Sequence, residues 1–137
     1  MTLSSAALRT AVTGALVALV LVITSCATSS EADGRVINAE PREAVAHILS
    51  SSYVVLDLRP REAFEAGHVA GASNLPYETG AFTDALSDLD RDARFLLYSH
   101  DEAITRRGAD AMVAMDFEHV VDGGVFGLLA IAGAPME

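Results

Sequence analysis

The stretch from Tyr53 to Pro76 reads YVVLDLRPREAFEAGHVAGASNLP and alternates between two kinds of regular structure. It opens with a continuous apolar run, YVVLDL, which is typical of a strand covered on both faces of a sheet. RPREAFEAG then predicts a short helix that stops at Gly67, and GASNLP predicts a brief strand that ends at Pro76. A strand, a short crossover helix and a second strand indicate a parallel pair.

The same alternation continues on both sides of this stretch. The remaining pattern predicts further strands at 35–38, 94–99 and 118–124, and helices at 39–50, 79–90, 105–116 and 125–133. Because the crossovers are short, the fold class is α/β, with a parallel sheet of about five strands and helices on both faces. No internal repeat is visible in the sequence.

Composition limits the classes of function. The 137 residues carry nineteen acidic and nine basic side chains, and the net charge of −10 disfavours nucleic acid as a partner. The single cysteine, Cys26, excludes an internal disulfide and any CxxC metal or redox site. His47 and His119 have no partner at metal-ligand spacing, so neither a metal nor another cofactor is predicted.

The beginning of the chain predicts export. Arg9 precedes an apolar run at 11–23, which is shorter than the roughly 20 residues that a spanning helix needs, so a signal peptide is the better interpretation. The residues Ile23-Thr24-Ser25-Cys26 resemble the lipobox of bacterial lipoproteins. An ordinary signal peptide and an uncleaved anchor remain alternatives, and both also place the domain outside the cytoplasm.

The lipobox resemblance implies an anchored protein. Residues 1–25 would be removed, and Cys26 would carry acyl chains such as palmitate that hold the protein at the extracytoplasmic face of the bacterial membrane. Residues 26–34, rich in small polar side chains, read as a flexible tether, and residues 35–137 as the folded domain.

Two segments carry a resemblance to a known family. VVLDLRPREAFEAGHVAGASNLP, at 54–76, is similar to the first signature of rhodanese-like domains, and FEHVVDGGVFGLLAIAGAP, at 117–135, resembles their closing stretch. The resemblance implies a rhodanese-like fold. It also implies structural roles for five signature residues, with the arginine paired to a nearby acid and the histidine fixing a turn: Asp57, Arg59, His68, Gly123 and Gly124.

The resemblance also locates the family's active-site loop. In catalytic rhodaneses a strand ends in a cysteine, followed by four variable residues, an arginine, and a serine or threonine. The corresponding loop here retains the final threonine but has serine at the cysteine position and isoleucine at the arginine position: Ser99, His100, Asp101, Glu102, Ala103, Ile104 and Thr105.

These replacements bear on the chemistry. Sulfur transfer needs a thiolate that becomes a persulfide, and a serine hydroxyl is neither ionised at neutral pH nor able to form a comparable bond to sulfur. Asp101 and Glu102 would oppose an anion in the loop unless Arg106 and Arg107 offset them. The alternative for Arg106 is a solvated helix face, with Asp110 as its i,i+4 partner.

The sequence therefore predicts a rhodanese-like domain without sulfurtransferase activity, a pseudoenzyme that binds. Ser99-His100-Asp101 has the composition of a hydrolytic triad, but consecutive residues in a tight loop point in different directions, and Asp101 is expected to cap the next helix. Two alternatives stay open: an enzyme that uses Ser99 on a small anion or ester, and an accessory subunit that presents its fold to an envelope protein.

Overall fold

The computed structural model describes residues 35–137, which contain five strands and five helices. All strand pairs are parallel, in the order β1-β5-β4-β2-β3, so the predicted α/β architecture is confirmed. The elements are β1 (Ile37–Asn38), α1 (Pro41–Leu49), β2 (Val54–Asp57), α2 (Arg61–Glu65), β3 (Ser73–Asn74), α3 (Ala81–Leu86), β4 (Arg94–Ser99), α4 (Glu102–Ala114), β5 (His119–Val125) and α5 (Phe126–Ala132).

Helices cover both faces of the sheet. In the central strand β4, Phe95 and Leu97 face one core cluster, and Leu96 and Tyr98 face the other. The first cluster packs against α3 and α4, and the second against α1 and α5. Because both faces are buried, β2 and β4 carry continuous apolar runs that do not alternate with polar residues.

Helix α4 begins earlier than its sequence pattern predicts. The predicted start was Thr105, whereas the helix begins at Glu102. Asp101 explains the difference, because its Oδ1 accepts a hydrogen bond from the Ala103 N–H at 2.7 Å and so satisfies a donor of the first turn. The apolar periodicity that marks the core-facing side starts only at Ile104, so it does not reveal the first turn.

The glycine pair at the end of β5 is required by the backbone. A Cβ on Gly123 would lie 2.9 Å from the Leu97 carbonyl oxygen of the neighbouring strand. Gly124 has a φ of +76°, which is left-handed, and its N–H donates to Asp122 Oδ1 at 2.9 Å. The two glycines therefore allow close contact between strands and then a sharp turn into α5.

Cys26, the predicted signal peptide and the predicted tether lie outside the described residues. Within 35–137, no helix is long and apolar enough to cross a membrane.

Candidate functional site

Ser99 is the last residue of β4, at the edge of the sheet where the parallel strands have their carboxyl ends. In open α/β sheets this is the edge at which ligands bind. The Ser99 side chain is 0% exposed, however, and its Oγ lies 3.5 Å from Nδ1 of the exposed His100. A substrate would therefore need the loop to open before it could reach the hydroxyl.

Several other residues of the loop stabilise the beginning of α4. Asp101 occupies the helix N-terminus with its own carboxylate, and Glu102 adds a second negative charge to the first turn. Thr105 is buried and its hydroxyl donates to the Gly124 carbonyl at 3.0 Å, which ties α4 to the end of β5. Ile104 packs in the core cluster, and Ala103 is exposed. An external anion would have to compete with the Asp101 carboxylate for the helix N–H groups.

Arg59 and Asp57 form a buried ion pair beside this loop. The Arg59 Nε and Nη2 donate to the Asp57 carboxylate at 2.7 to 3.0 Å, and Nη2 also donates to the Gly67 carbonyl at 2.7 Å. The guanidinium lies 3.7 Å from the centre of the Phe126 ring. These contacts join the end of β2, the turn after α2 and the start of α5.

His68 fixes the turn that follows α2. Its Nδ1 lies 2.9 Å from the Phe64 carbonyl oxygen, its ring stacks on the Phe64 ring, and its Nε2 lies 3.3 Å from a carboxylate oxygen of Glu137. The Gly71 N–H donates to the same carboxylate, and this bond is the main cause of the lowered pKa of Glu137. The histidine contacts hold the backbone, and none of them reaches Ser99.

Tyr98 connects this turn to the loop. Tyr98 directly precedes Ser99 in the chain, and its hydroxyl accepts a hydrogen bond from the Val69 N–H at 3.1 Å. Burial, followed by hydrogen bonding to Asp57, raises the pKa of Tyr98, so the phenol stays protonated at neutral pH. The tyrosine is therefore a structural group here and supplies no charge to the site.

Arg106 is turned toward β1. Its Nε lies 3.2 Å from Asp110 Oδ1, and its Nη1 donates to Asn38 Oδ1 at 2.6 Å. The side chain is about half exposed, and Arg107 is exposed as well. The Asp110 pair predicted from the spacing is present, and the arginine has a second partner that the sequence could not reveal.

Asp122 is a candidate site residue that was not predicted from the sequence; it lies near the end of β5 and is only 6% exposed. Burial raises the pKa of this carboxyl, and Glu102 and Asp110 add to that effect, whereas the Gly124 N–H and Arg106 oppose it. The available signal was an acid inside an apolar strand, directly before a glycine pair. Within 35–137, no group of three or more His, Cys, Asp or Glu side chains is arranged to hold a metal ion.

The sequence and fold are similar to those of known proteins. A family model described as the rhodanese-like domain matches residues 40–130, which is most of the described chain. The chain belongs to the rhodanese-like domain family. It is 30% identical over 86 residues to a protein named thiosulfate sulfurtransferase GlpE from Pseudomonas entomophila, a match that covers 61% of this chain and 76% of that protein.

Solved structures agree with the family assignment. The Alr3790 protein from Anabaena matches with a TM-score of 0.58 and 27% identity, covering 67% of this chain and 88% of that one. A rhodanese-related protein from Thermoplasma volcanium has a TM-score of 0.62 over 75% of this chain and 97% of that one, and at 20% identity it supports the fold alone. This rhodanese-like domain is thus related to sulfurtransferases, and its own loop decides what chemistry is available.

The signature residues of this rhodanese-like domain fall into two groups. Asp57, Arg59 and His68 stabilise the ends of β2 and α2, on the side of Tyr98 and Phe126. The loop residues 99–105 and the glycine pair form the second group, joined by the contact between Thr105 and Gly124. Within 35–137, the long contact to His100 is the only side-chain hydrogen bond of the Ser99 hydroxyl.

Proposed function

We propose that this protein is a rhodanese-like domain that is lipid-anchored outside the cytoplasm and binds a partner instead of transferring sulfur. The observation that carries the proposal is Ser99 at the end of β4, where the family resemblance places the nucleophilic cysteine. The chain has one cysteine, Cys26, and it lies in the lipobox-like segment. A thiolate is required to accept sulfane sulfur, and residues 27–137 contain no thiol.

The loop supports this proposal independently of the missing thiol. Sulfur donors such as thiosulfate are anions and need N–H groups and positive charge in the loop. Here Asp101 already caps the helix, Glu102 adds negative charge, and Ile104 contributes to the core at the position of the family's arginine. The nearby Arg106 is engaged by Asp110 and Asn38.

Transfer of sulfur from thiosulfate to cyanide tests the proposal. We expect the wild-type protein, purified from membranes, to show the same background rate as its Ser99→Ala variant. A wild-type rate clearly above that of Ser99→Ala, or a persulfide detected on the folded domain by mass spectrometry, would refute the non-catalytic role.

The membrane anchor has its own test. Mass spectrometry of the intact protein should find a chain that begins at Cys26 and carries acyl chains such as palmitate, and Cys26→Ser should move the protein from the membrane fraction to the soluble fraction. A mature chain that begins at another residue and carries no lipid would show that the protein is not a lipoprotein and would favour an ordinary signal peptide.

A serine-dependent enzyme acting on a small ester is the second candidate, favoured only by the contact between Ser99 and His100. The 3.5 Å separation is at the limit of a hydrogen bond, and Asp101 is engaged with Ala103 and does not orient the histidine. Labelling of Ser99 by a fluorophosphonate probe would establish this candidate, and unlabelled protein would leave binding as the function.

A further inference from the structure

Two adjoining clefts lie beside α5, on the side of the sheet edge that carries β1. The first, about 240 Å³, opens at the carboxyl ends of β1 and β5, and the second, about 370 Å³, lies between the start of α1 and α5. Glu40, Pro41 and Leu128 line both of them. The two clefts therefore adjoin each other, and we call them together the α1–α5 groove.

One end of the groove is acidic. Glu40, Glu102 and Asp122 all line the first cleft, from three different elements of the fold. Asp122 is 94% buried, its Oδ1 accepts the Gly124 N–H, and its Oδ2 has no hydrogen bond within 35–137. Burial raises the pKa of Asp122, and the charge of Arg106, whose guanidinium is bonded to Asn38 and Asp110, opposes that effect only in part.

The other end of the groove is largely apolar and open to solvent, with Glu40 and Arg42 as its two charged lining residues. Leu128 is 50% exposed and Ile131 is 85% exposed, both on α5, and Pro41 and Ala132 complete the apolar wall. Two large aliphatic side chains presented side by side on one short helix are the kind of surface that a binding partner covers. The acidic and apolar ends meet at Leu128.

We propose that the α1–α5 groove binds an extended segment of a partner protein, in which an arginine or lysine is followed by aliphatic residues. The cation would lie among the three carboxylates and bond the free oxygen of Asp122, and the aliphatic side chains would cover Leu128 and Ile131. This inference rests on the proposed binding role and names the surface and the partner's chemistry.

Charge favours a basic peptide over a lipid surface as the occupant. The carboxylates at one end of the groove would be repelled by the anionic lipids of a bacterial membrane, and the domain as a whole is strongly acidic. A partner segment with a cation next to aliphatic residues satisfies both ends of the groove at once.

The binding test uses the full chain as processed in the cell, reconstituted in phosphatidylcholine nanodiscs. The probe is a fluorescein-labelled peptide, Gly-Ser-Arg-Leu-Leu-Ser-Gly, followed by anisotropy, and a peptide with glutamate in place of arginine is the control. We expect the arginine peptide to bind, the glutamate peptide not to bind, and binding to weaken as salt is added.

Variants locate the bound peptide. Leu128→Ala and Ile131→Ala should each weaken binding, by about tenfold together, whereas Leu49→Ala should not, because Leu49 is a similarly exposed helix leucine outside the groove. Glu40→Gln should weaken binding and reduce its salt dependence, and Glu118→Gln, at an exposed site before β5, should change neither. All five side chains are at the surface or close to it, so the fold should tolerate the changes.

Three results would overturn the inference. They are equal binding of the two peptides, equal weakening by Leu49→Ala and Leu128→Ala, and no binding by the wild-type protein. A bilayer as the true occupant has a distinct signature: the Ile131→Trp variant would supply the chain's single tryptophan, and its fluorescence would be quenched by brominated lipid. If the peptide does not bind and sulfur transfer is also absent, the groove inference is rejected and the proposed function is not. If sulfur transfer is observed, the proposed function is rejected, and the peptide-binding result is interpreted by itself.

Discussion

The Arg59→Met substitution should remove a large part of the domain's free energy of unfolding. Asp57 is 0% exposed, and the substitution removes every guanidinium hydrogen bond from its carboxylate, leaving the Arg59 backbone N–H at 2.9 Å and the neighbouring Tyr98 hydroxyl. Removing one partner of a buried ion pair costs about 3–5 kcal/mol. Loss of the contact with the Phe126 ring adds about 0.5–2 kcal/mol, part of which the methionine recovers by packing.

Urea unfolding of residues 27–137, followed by circular dichroism, measures this cost. A loss of about 4 kcal/mol with a slope of about 2 kcal/mol per molar urea lowers the midpoint by about 2 M. That loss is a large fraction of the roughly 5–15 kcal/mol expected for a domain of this size.

A double variant separates the buried charge from the lost packing. Adding Asp57→Asn to Arg59→Met removes the uncompensated carboxylate, so the double variant should be more stable than Arg59→Met alone. A midpoint shift below about 0.5 M for Arg59→Met, or a double variant whose losses simply add, would refute the reasoning that the pair stabilises the end of β2.

Three further predictions concern the sheet edge. Gly123→Ala should destabilise the domain by about 1–3 kcal/mol in urea unfolding, because its Cβ would meet the Leu97 carbonyl, whereas Gly127→Ala, with nothing within 4 Å, should be neutral or slightly stabilising. Asp122→Asn should be more stable than wild type at pH 7, and the two proteins should be equally stable below the ordinary aspartate pKa. Burial raises the pKa of Asp122 in the folded state, so the wild type loses stability as pH rises from the unfolded-state pKa through the folded-state pKa. The same difference in stability at pH 7 and at the acidic pH would contradict this. Ser99→Cys should restore a thiol without restoring thiosulfate turnover, because the side chain is fully enclosed and the helix start is acidic; turnover in this variant would show that the loop opens readily.

The sheet could be predicted from the sequence because burial on both faces leaves a local trace. Strand β4 carries Phe95, Leu96, Leu97 and Tyr98 in succession, and a run of that kind identifies a central strand without knowledge of its neighbours. The start of α4 was harder to predict from the sequence, because its first turn is exposed and only the cap at Asp101 marks it. Element type therefore followed from the apolar pattern, and the boundary depended on one side-chain hydrogen bond.

The site was only partly predictable because its contacts join distant elements. Arg59 could be assigned an acidic partner, but several acids lie nearby in sequence, and the turn after β2 decides that the partner is Asp57. The groove could not be predicted, because Glu40 and Asp122 are 82 positions apart and meet only when β1 pairs with β5. Such pairing is tertiary information that no local pattern contains.

The beginning of α4 links the proposed loss of sulfur transfer to the proposed binding role. A helix N-terminus at the edge of a parallel sheet offers unpaired N–H groups, and these can be satisfied by a bound anion or by a carboxylate of the chain itself. In this protein Asp101 supplies the carboxylate, so the fold needs no ligand at that position to be complete. The same region then contributes Glu102 to the acidic end of the α1–α5 groove, so that negative charge at this edge favours a cationic partner over an anionic substrate.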